Sequence, residues 1–458
     1  MIISEIRYNQ AIKRLRFDAE FYNPFKLESM RTLNAITSNT IGEKFNSIRD
    51  VFDPNKYYQK NETANIVELA DISNKFVSNK RTCKIYEVGS QKKKFNKNDV
   101  LISRLRSYLE EIFYAIDFPE NKINLCSTEF IVLRRKEKEN VTPEFLYILL
   151  QTSFIQEILK WSQDGTNHPR FDEDYLLDLP FPIPSIVFQQ KIELIVKEAY
   201  KKRKEADEKY KQAEVLLNKA LGIEKLELKD EKIFETGFDE VESVLRFDAE
   251  HYQPKYKEVR KFIGTAGYEV RKLRDAVEIS DNKISPLSKP TELFSYIELA
   301  NINSSTGEIE EVNQIKGYNA PSRARMLVRK GDVLVSSLLG SLDNIGLVPE
   351  KLDGSIASTG FFVIRSKFFL PEFLFLLFKS NLMRLQLEEK TAGAIMSAVP
   401  KNTFGDLLVP MIPEETQKQI SNLIRQSFSL RKESKELLEK AKKEVEEFIE
   451  KNTNYNRP

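Results

Sequence analysis

Cysteine and histidine are nearly missing from this chain of 458 residues, which has two of each: Cys83 and Cys126, His168 and His251. No CxxC or other paired spacing occurs, so neither a disulfide scaffold nor a zinc site is expected, and a reducing, cytoplasmic setting is the default. Two histidines leave little room for imidazole-based catalysis or metal ligation. A GxxxxGK[ST] phosphate loop, a glycine-rich cofactor loop and carboxylate pairs at nuclease-like spacing are also missing, which argues against an enzyme. Long apolar runs are lacking too. The longest candidate, Phe368 to Phe378, is interrupted by Pro371 and Glu372 and falls short of the ~18 residues a membrane span requires. Met1 to Gln10 has no extended apolar core, so no signal peptide is expected. Charge of one sign is scarce as well: 71 Lys and Arg against 69 Asp and Glu leave +2 overall. No global field draws the chain to a polyanion or an anionic membrane, and such binding must come from local patches.

What the chain does have is a globular composition, 41% hydrophobic and 31% charged, and a length suited to several domains. It also carries an internal repeat. Arg16-Phe-Asp-Ala-Glu-Phe-Tyr-Asn-Pro24 returns as Arg246-Phe-Asp-Ala-Glu-His-Tyr-Gln-Pro254, and Val67-Glu-Leu-Ala-Asp-Ile72 as Ile297-Glu-Leu-Ala-Asn-Ile302. In the same order, Asp99-Val-Leu-Ile-Ser103 matches Asp332-Val-Leu-Val-Ser336, Ser127-Thr128 matches Ser358-Thr359, and Pro143 to Leu146 matches Pro371 to Leu374. Pro182 with Gln189 to Ile192 pairs with Pro410 and Gln417 to Ile420. Blocks in one order, each copy far longer than a solenoid repeat, predict two homologous globular domains of α+β class. β-branched runs such as Val100 to Ser103 and Phe361 to Ile364 read as strands, and Pro143 and Pro371 as first-turn residues of apolar helices.

Each copy closes on a long charged helix. Ile192, Ala199, Ala206, Ala213 and Ala220 recur every seven residues, and Ile420, Ala441 and Phe448 follow the matching register with Ile424, Leu438 and Val445 beside them. Such heptads predict coiled-coil helices that pack antiparallel, with a parallel pairing left open. The expected organisation is a first domain over 1–185, a spacer helix over 186–222, a second domain over 223–413 and a second spacer helix over 414–458.

Between Lys75 and Arg106 lie ten bases against two acids, the footprint of a polyanion partner or simply a solvated basic hairpin. Candidate DNA-contacting residues are Lys92, Lys93, Lys94, Arg104 and Arg106, then Asn167, His168 and Arg170 in the first copy, and Arg323, Arg325 and Lys401 in the second. The framework blocks agree between copies while these segments diverge. Arg104-Leu-Arg106 faces Ser337-Leu-Leu339, and Gly165-Thr-Asn-His-Pro-Arg170 faces Gly393-Ala-Ile-Met-Ser-Ala398. His251 stands where the first copy has Phe21 and reads as structural. Asn23-Pro-Phe25 resembles a fragment of the adenine-methyltransferase Asn-Pro-Pro-aromatic loop but lacks the second proline. The Arg-Phe-Asp-Ala-Glu-x-Tyr residues read as a structural clasp.

The repeated unit, the Asp-Val-Leu-[Ile/Val]-Ser strand and the Gly165 to Ile192 run with its prolines and Gln-Gln-Lys-Ile resemble the specificity subunits of type I restriction-modification systems, over nearly the full length. The second copy departs from that pattern at Gln417-Lys-Gln-Ile420. The resemblance implies two target recognition domains separated by two antiparallel helices, each domain reading half of a bipartite DNA sequence. It implies a non-catalytic chain that binds no cofactor. S-adenosylmethionine and ATP would belong to partners, two methyltransferase subunits and restriction subunits. A structural adaptor with two protein-binding heads is the alternative.

Overall fold

The alternation of the repeated apolar runs decides how each half of the chain is layered. A computed structural model describes residues 16–56, 62–226, 228, 231, 233–265, 267–310, 312–393 and 397–455. The chain divides into unit 1, Met1–Arg203 with Lys432–Pro458, and unit 2, Lys204–Arg431.

In unit 1 an antiparallel sheet runs in the order Phe45–Ser47, Phe130–Arg135, Val100–Ser103, Ile112–Tyr114. Every residue of Val100–Ser103 is buried, because both faces of this sheet are covered. Val100, Ile102, Ile131 and Leu133 face the helical core, while Leu101, Phe113, Phe130 and Val132 belong to a second core. The two-residue period of a strand thus serves two layers at once. A second sheet has the order Val51–Phe52, Lys92–Phe95, Ile123–Cys126, Thr63–Val67, Arg81–Lys84, with the 123–126 and 63–67 strands parallel.

Unit 2 uses the same plan. Its first sheet runs Val277–Ser280, Phe361–Ser366, Val333–Ser336, Ile345–Leu347, and its second runs Asn313–Lys316, Leu293–Ile297, Ile356–Ser358, Ala324–Leu327. Val333 and Val335 face the helical core and Leu334 the other.

The repeated polar residues are braces for this framework. Asp99 accepts the Asn96 amide (2.7 Å) and both arms of Arg134 (2.8 and 2.7 Å), closing the turn that enters the central strand. Asp332 does the same with the Arg329 amide (2.8 Å) and Arg365 (2.9 and 3.2 Å). Buried Gln189 accepts the Thr142 amide (2.9 Å) ahead of helix Pro143–Leu149, and Gln417 accepts the Leu370 amide (2.9 Å) ahead of helix Pro371–Lys379. Each proline occupies the first turn, where its missing N–H is no loss. That second helix contains most of the longest apolar stretch and is buried in the unit 2 core. Among the described residues, no helix is long and apolar enough to cross a membrane.

The heptad helices are Ile186–Leu221 and Glu414–Tyr455. Within unit 1 they are antiparallel: Phe188 stacks on Phe448 (5.3 Å), Lys191 pairs with Glu444 (2.7 Å), and Lys202 with Glu433 (2.6 Å). Ile192, Val196, Ala199, Leu438, Ala441 and Val445 are buried there. Ala206, Ala213, Ile420 and Ile424 are buried in unit 2. Ala220 is only half-buried, and Leu217 and Leu221 take its place. A strict seven-residue repeat drifts by ~20° per heptad on an α-helix, enough over four heptads to rotate Ala220 off the seam. The second helix fills its column with Ser427 and Ser434, whose hydroxyls donate to the Ala206 and Ala199 carbonyls (2.8 and 2.7 Å). Gly222, at φ 68°, ends the first helix in the left-handed region. In the segment that follows, residues 227, 229, 230 and 232 lie outside the described residues.

His251 is buried, with Nδ1 2.9 Å from the Glu389 carbonyl. Burial, and after it the Arg246 and Lys390 charges against the opposing Asp248, pulls its pKa down to about 4. The unfolded chain therefore binds this proton more readily, and stability should fall as pH drops from about 6.5 toward that value. His251→Phe, restoring the residue of the first copy, should remove about 2 kcal/mol of that loss, taking ~1.4 kcal/mol per pKa unit and discounting for partial solvent access. Denaturant unfolding of both proteins at pH 7 and 4.5 measures it, and identical pH dependence would sink the assignment.

Candidate nucleic-acid interface

Two segments of unit 1 far apart in sequence meet at one sheet end. Past the central strand, residues 104–106 line up with a loop that folds back on itself between Asp164 and Arg170, where the amides and carbonyls of those two residues bond mutually (2.8 and 2.9 Å). Gly165, at φ 94°, supplies the turn that a side chain would oppose. The Arg106 amide donates to the Pro169 carbonyl (2.8 Å), and the Phe171 amide to the Arg104 carbonyl (3.2 Å). Arg104, Arg106, His168 and Arg170 are therefore neighbours, with Asn167 exposed at the loop tip.

A carboxylate absent from the sequence-based expectations organises them. Glu129 receives two arms of Arg170 (2.9 and 2.7 Å) and Nε of Arg104 (3.2 Å). Arg170, then Arg104, holds its carboxyl below the usual carboxylate range. Arg106 is different. Its backbone is left-handed (φ 50°), as is that of Glu110 (φ 49°) across the turn Ser107–Leu109. Its Nη2 lies 3.4 Å from His168 Nδ1, and it makes no ion pair among the described residues. Left-handed non-glycine residues cost of order 1 kcal/mol or more and collect at functional sites. Beside this group lies an open cleft of about 630 Å³, lined by Arg16, Phe21, Arg104, His168, Arg170 and Phe171.

The lysine triplet is placed otherwise than a solvent-facing basic patch. On strand Lys92–Phe95 the side chains alternate: Lys93 points inward to the Phe130 carbonyl (2.9 Å) and Glu173 (3.7 Å), while Lys92 pairs with Glu68 (2.7 Å) and Lys94 with Asp50 (3.1 Å). Among the described residues, seven of the ten bases counted between Lys75 and Arg106 form ion pairs, each with an acid outside that window. A linear charge count overstates the field because folding imports counter-charges from distant sequence.

Unit 2 keeps the backbone plan and changes the chemistry. Ala392 and Ala398 bridge, and Ala398 bridges Leu338, as Arg170 does Leu105. Residues 394–396, within the divergent Gly393–Ala398 segment, lie outside the described residues. Where unit 1 has Arg104, Glu129 and Arg170, unit 2 has Ser337, Gly360 and Ala398; the Ser337 hydroxyl donates to the Gly360 carbonyl (2.9 Å). The joint replacement of a carboxylate and both its arginines was a signal available in the repeat alignment. Arg323 is exposed, its carbonyl accepting the Thr359 amide (2.8 Å). Arg325 is exposed and donates to the Ser322 carbonyl (2.8 Å), and Lys401 is ion-paired with Asp281. No group of three or more His, Cys, Asp or Glu placed to hold a metal occurs among the described residues.

Residues 41–214 match the model of the type I restriction modification DNA specificity domain. The type I restriction enzyme MjaVIII specificity subunit of Methanocaldococcus jannaschii is 22% identical over 359 residues, covering 76% of this chain and 77% of that protein. The HindI specificity subunit of Haemophilus influenzae is 33% identical over 119 residues, a quarter of each chain. Residues 41–214, in the first copy, therefore carry a type I restriction modification DNA specificity domain. Solved structures similar to this chain include the HsdS subunit from Thermoanaerobacter tengcongensis, at 17% identity, 91% and 96% coverage and a TM-score of 0.32. The S subunit from M. genitalium is similar at 11% identity, 92% and 95% coverage and a TM-score of 0.43. The assignment of the specificity domain rests on the sequence match. It makes the guanidinium groups at the sheet end of unit 1 candidates for contact with a DNA target, since a planar fork matches both phosphate oxygens and the guanine edge.

Proposed function

We propose that this chain is a type I restriction-modification specificity subunit that reads a bipartite duplex, each of its two repeated domains (1–185 and 223–413) taking one half-site and the helices over 186–222 and 414–458 spacing them as an antiparallel, pseudo-two-fold pair. Methylation by two methyltransferase subunits using S-adenosylmethionine, and ATP-dependent cleavage by restriction subunits, belong to its partners; the chain itself is non-catalytic and holds no cofactor. The observation that carries this reading is one backbone plan bearing different readers. Unit 1 presents Arg106 and His168 beside the Glu129 hub, and unit 2 replaces the hub with Ser337, Gly360 and Ala398. Arg323 and Arg325, exposed in unit 2, then serve as phosphate-positioning groups, Arg104 and Arg170 hold the loop of unit 1 through Glu129, and Arg106 acts as a base-reading fork.

Arg106→Ala should cost about 1 to 3 kcal/mol of discrimination at one position of one half-site and leave the other half unchanged. The methylated motif of cells carrying the chain with its methyltransferase partner measures this, alongside binding of labelled duplexes with and without that partner. Tight, specific binding is expected only with the partner, because a net charge of +2 is small for gripping a duplex. A motif independent of this chain, with salt-independent or absent DNA binding, would favour the adaptor reading.

A further inference from the structure

The repeated Arg-Phe-Asp-Ala-Glu-x-Tyr block does more than fasten its own segment. In unit 1, Arg16 grips Asp18 with Nε and Nη2 (2.6 and 3.1 Å) and also donates from Nη2 to the Gln163 carbonyl (3.2 Å). Tyr22 Oη donates to the Arg16 carbonyl (2.9 Å) and fixes where that guanidinium starts. In unit 2, Arg246 grips Asp248, donates from Nη2 to the Thr391 carbonyl (2.7 Å) and from Nη1 to the Glu389 carbonyl (3.3 Å), and accepts Tyr252 Oη on its own carbonyl (2.6 Å). The carbonyls chosen are equivalent. Gln163 immediately precedes Asp164, and Thr391 immediately precedes Ala392, the first residues of the two bridged loops. In unit 1 the linkage continues, since Gln163 Nε2 donates to the Ser107 hydroxyl (2.6 Å), next to Arg106, and Arg16 itself lines the cleft.

We propose that Arg16 and Arg246 are positioning residues for target recognition, each holding the base of the loop that its own unit presents to DNA. The assignment rests on the DNA-reading function above and adds residues that need not touch DNA. An arginine suits the task because its fixed fork satisfies a carboxylate and a carbonyl together, whereas lysine keeps the charge and loses the geometry. The pairing also explains why loops that differ in sequence hang on an identical clasp. The clasp sets where a loop starts, and the loop sets what is read.

The test uses the full chain with its methyltransferase partner in cells, reading the methylated motif half by half together with thermal unfolding of the purified complex. Arg16→Lys should loosen one half-site, with discrimination against single mismatches there falling roughly five- to tenfold, the low end for one bidentate base contact, while the other half stays sharp. Arg246→Lys should do the reverse. Gln163→Ala, on a partly exposed side chain, leaves the clasp intact and cuts the link to Ser107 together with a longer bond to the Lys160 carbonyl (3.3 Å) one turn back; it should loosen the same half as Arg16→Lys even if the latter yields no soluble complex. Both halves of the motif unchanged in Arg16→Lys and Gln163→Ala, whatever the melting temperatures, would overturn the proposal. A wild-type chain that directs no motif at all would instead remove the DNA-reading function, and the positioning role with it.

Discussion

Glu129→Ala is expected to increase binding of the chain to duplex of any sequence at low salt while erasing discrimination in one half-site. In the native protein this carboxylate holds Arg170 through two arms and Arg104 through one. Removing it releases two cations at the same sheet end. Each additional phosphate neutralised steepens the dependence of log K on log salt by about 0.9, so the slope should grow by up to about 2. The loop from Asp164 to Arg170 loses its side-chain cross-link to the strand end at the same time and is held there by backbone bonds alone, so its base contacts blur. Glu129→Gln should fall between, retaining a hydrogen-bond acceptor without the charge. The pH arm has a definite sign. The arginines depress the Glu129 pKa, so its contribution is present above the ordinary carboxylate range and is lost as pH falls through that depressed value. Neutral buffers therefore leave the hub intact. Titrations of specific and scrambled duplexes at several salt concentrations decide the matter, and an unchanged or shallower slope would mean that Arg104 and Arg170 stay unavailable to phosphate.

Arg431→Ala should destabilise unit 2 by about 3 kcal/mol, whereas Arg431→Met should cost no more than about 1 kcal/mol. Arg431 is buried in the helix pair, with Nη2 2.6 Å from Asp207, Nη1 3.5 Å from Glu308, and its guanidinium over the Tyr210 ring at 5.8 Å. Truncation leaves a cavity and strips counter-charge from two acids that remain partly exposed, which keeps the loss at the lower end for broken buried pairs. Methionine refills the volume, and buried ion pairs replaced by apolar groups are often near neutral in stability. Arg203 occupies the equivalent position of the first helix, buried, with its guanidinium 5.4 Å from the Phe76 ring centre. Midpoints of denaturant unfolding compare the three proteins. Equal losses for both substitutions would show that the charge pairing, and not the packing, carries the stability.

The repeat was legible because duplicated blocks preserve the residues that brace a framework. Asp99 and Asp332, and Gln189 and Gln417, each accept a backbone amide at a turn or helix start, and Pro143 and Pro371 open the helices that follow, so neither copy could lose one without loosening its framework. The buried column from Ile192 to Ala213 was legible for a similar reason, since periodicity is local. Its end at Ala220 was not, because the drift of the seam depends on which residues the partner helix offers.

The amino-acid sequence by itself determined the mixed α+β composition of the two repeated copies, the heptad helices, the clasp motif and the segments in which the copies differ. All of these follow from residue type at short range or from comparison of one copy with the other. Only the tertiary structure decided which charges are available. Lys93 turned inward because strand side chains alternate, most of the bases from Lys75 to Arg106 were neutralised by acids such as Glu68, Asp50 and Glu173, and Glu129 took Arg104 and Arg170 while leaving Arg106 beside His168. Electrostatic partnership depends on distance in space, and folding brings together groups that no count along the chain can pair.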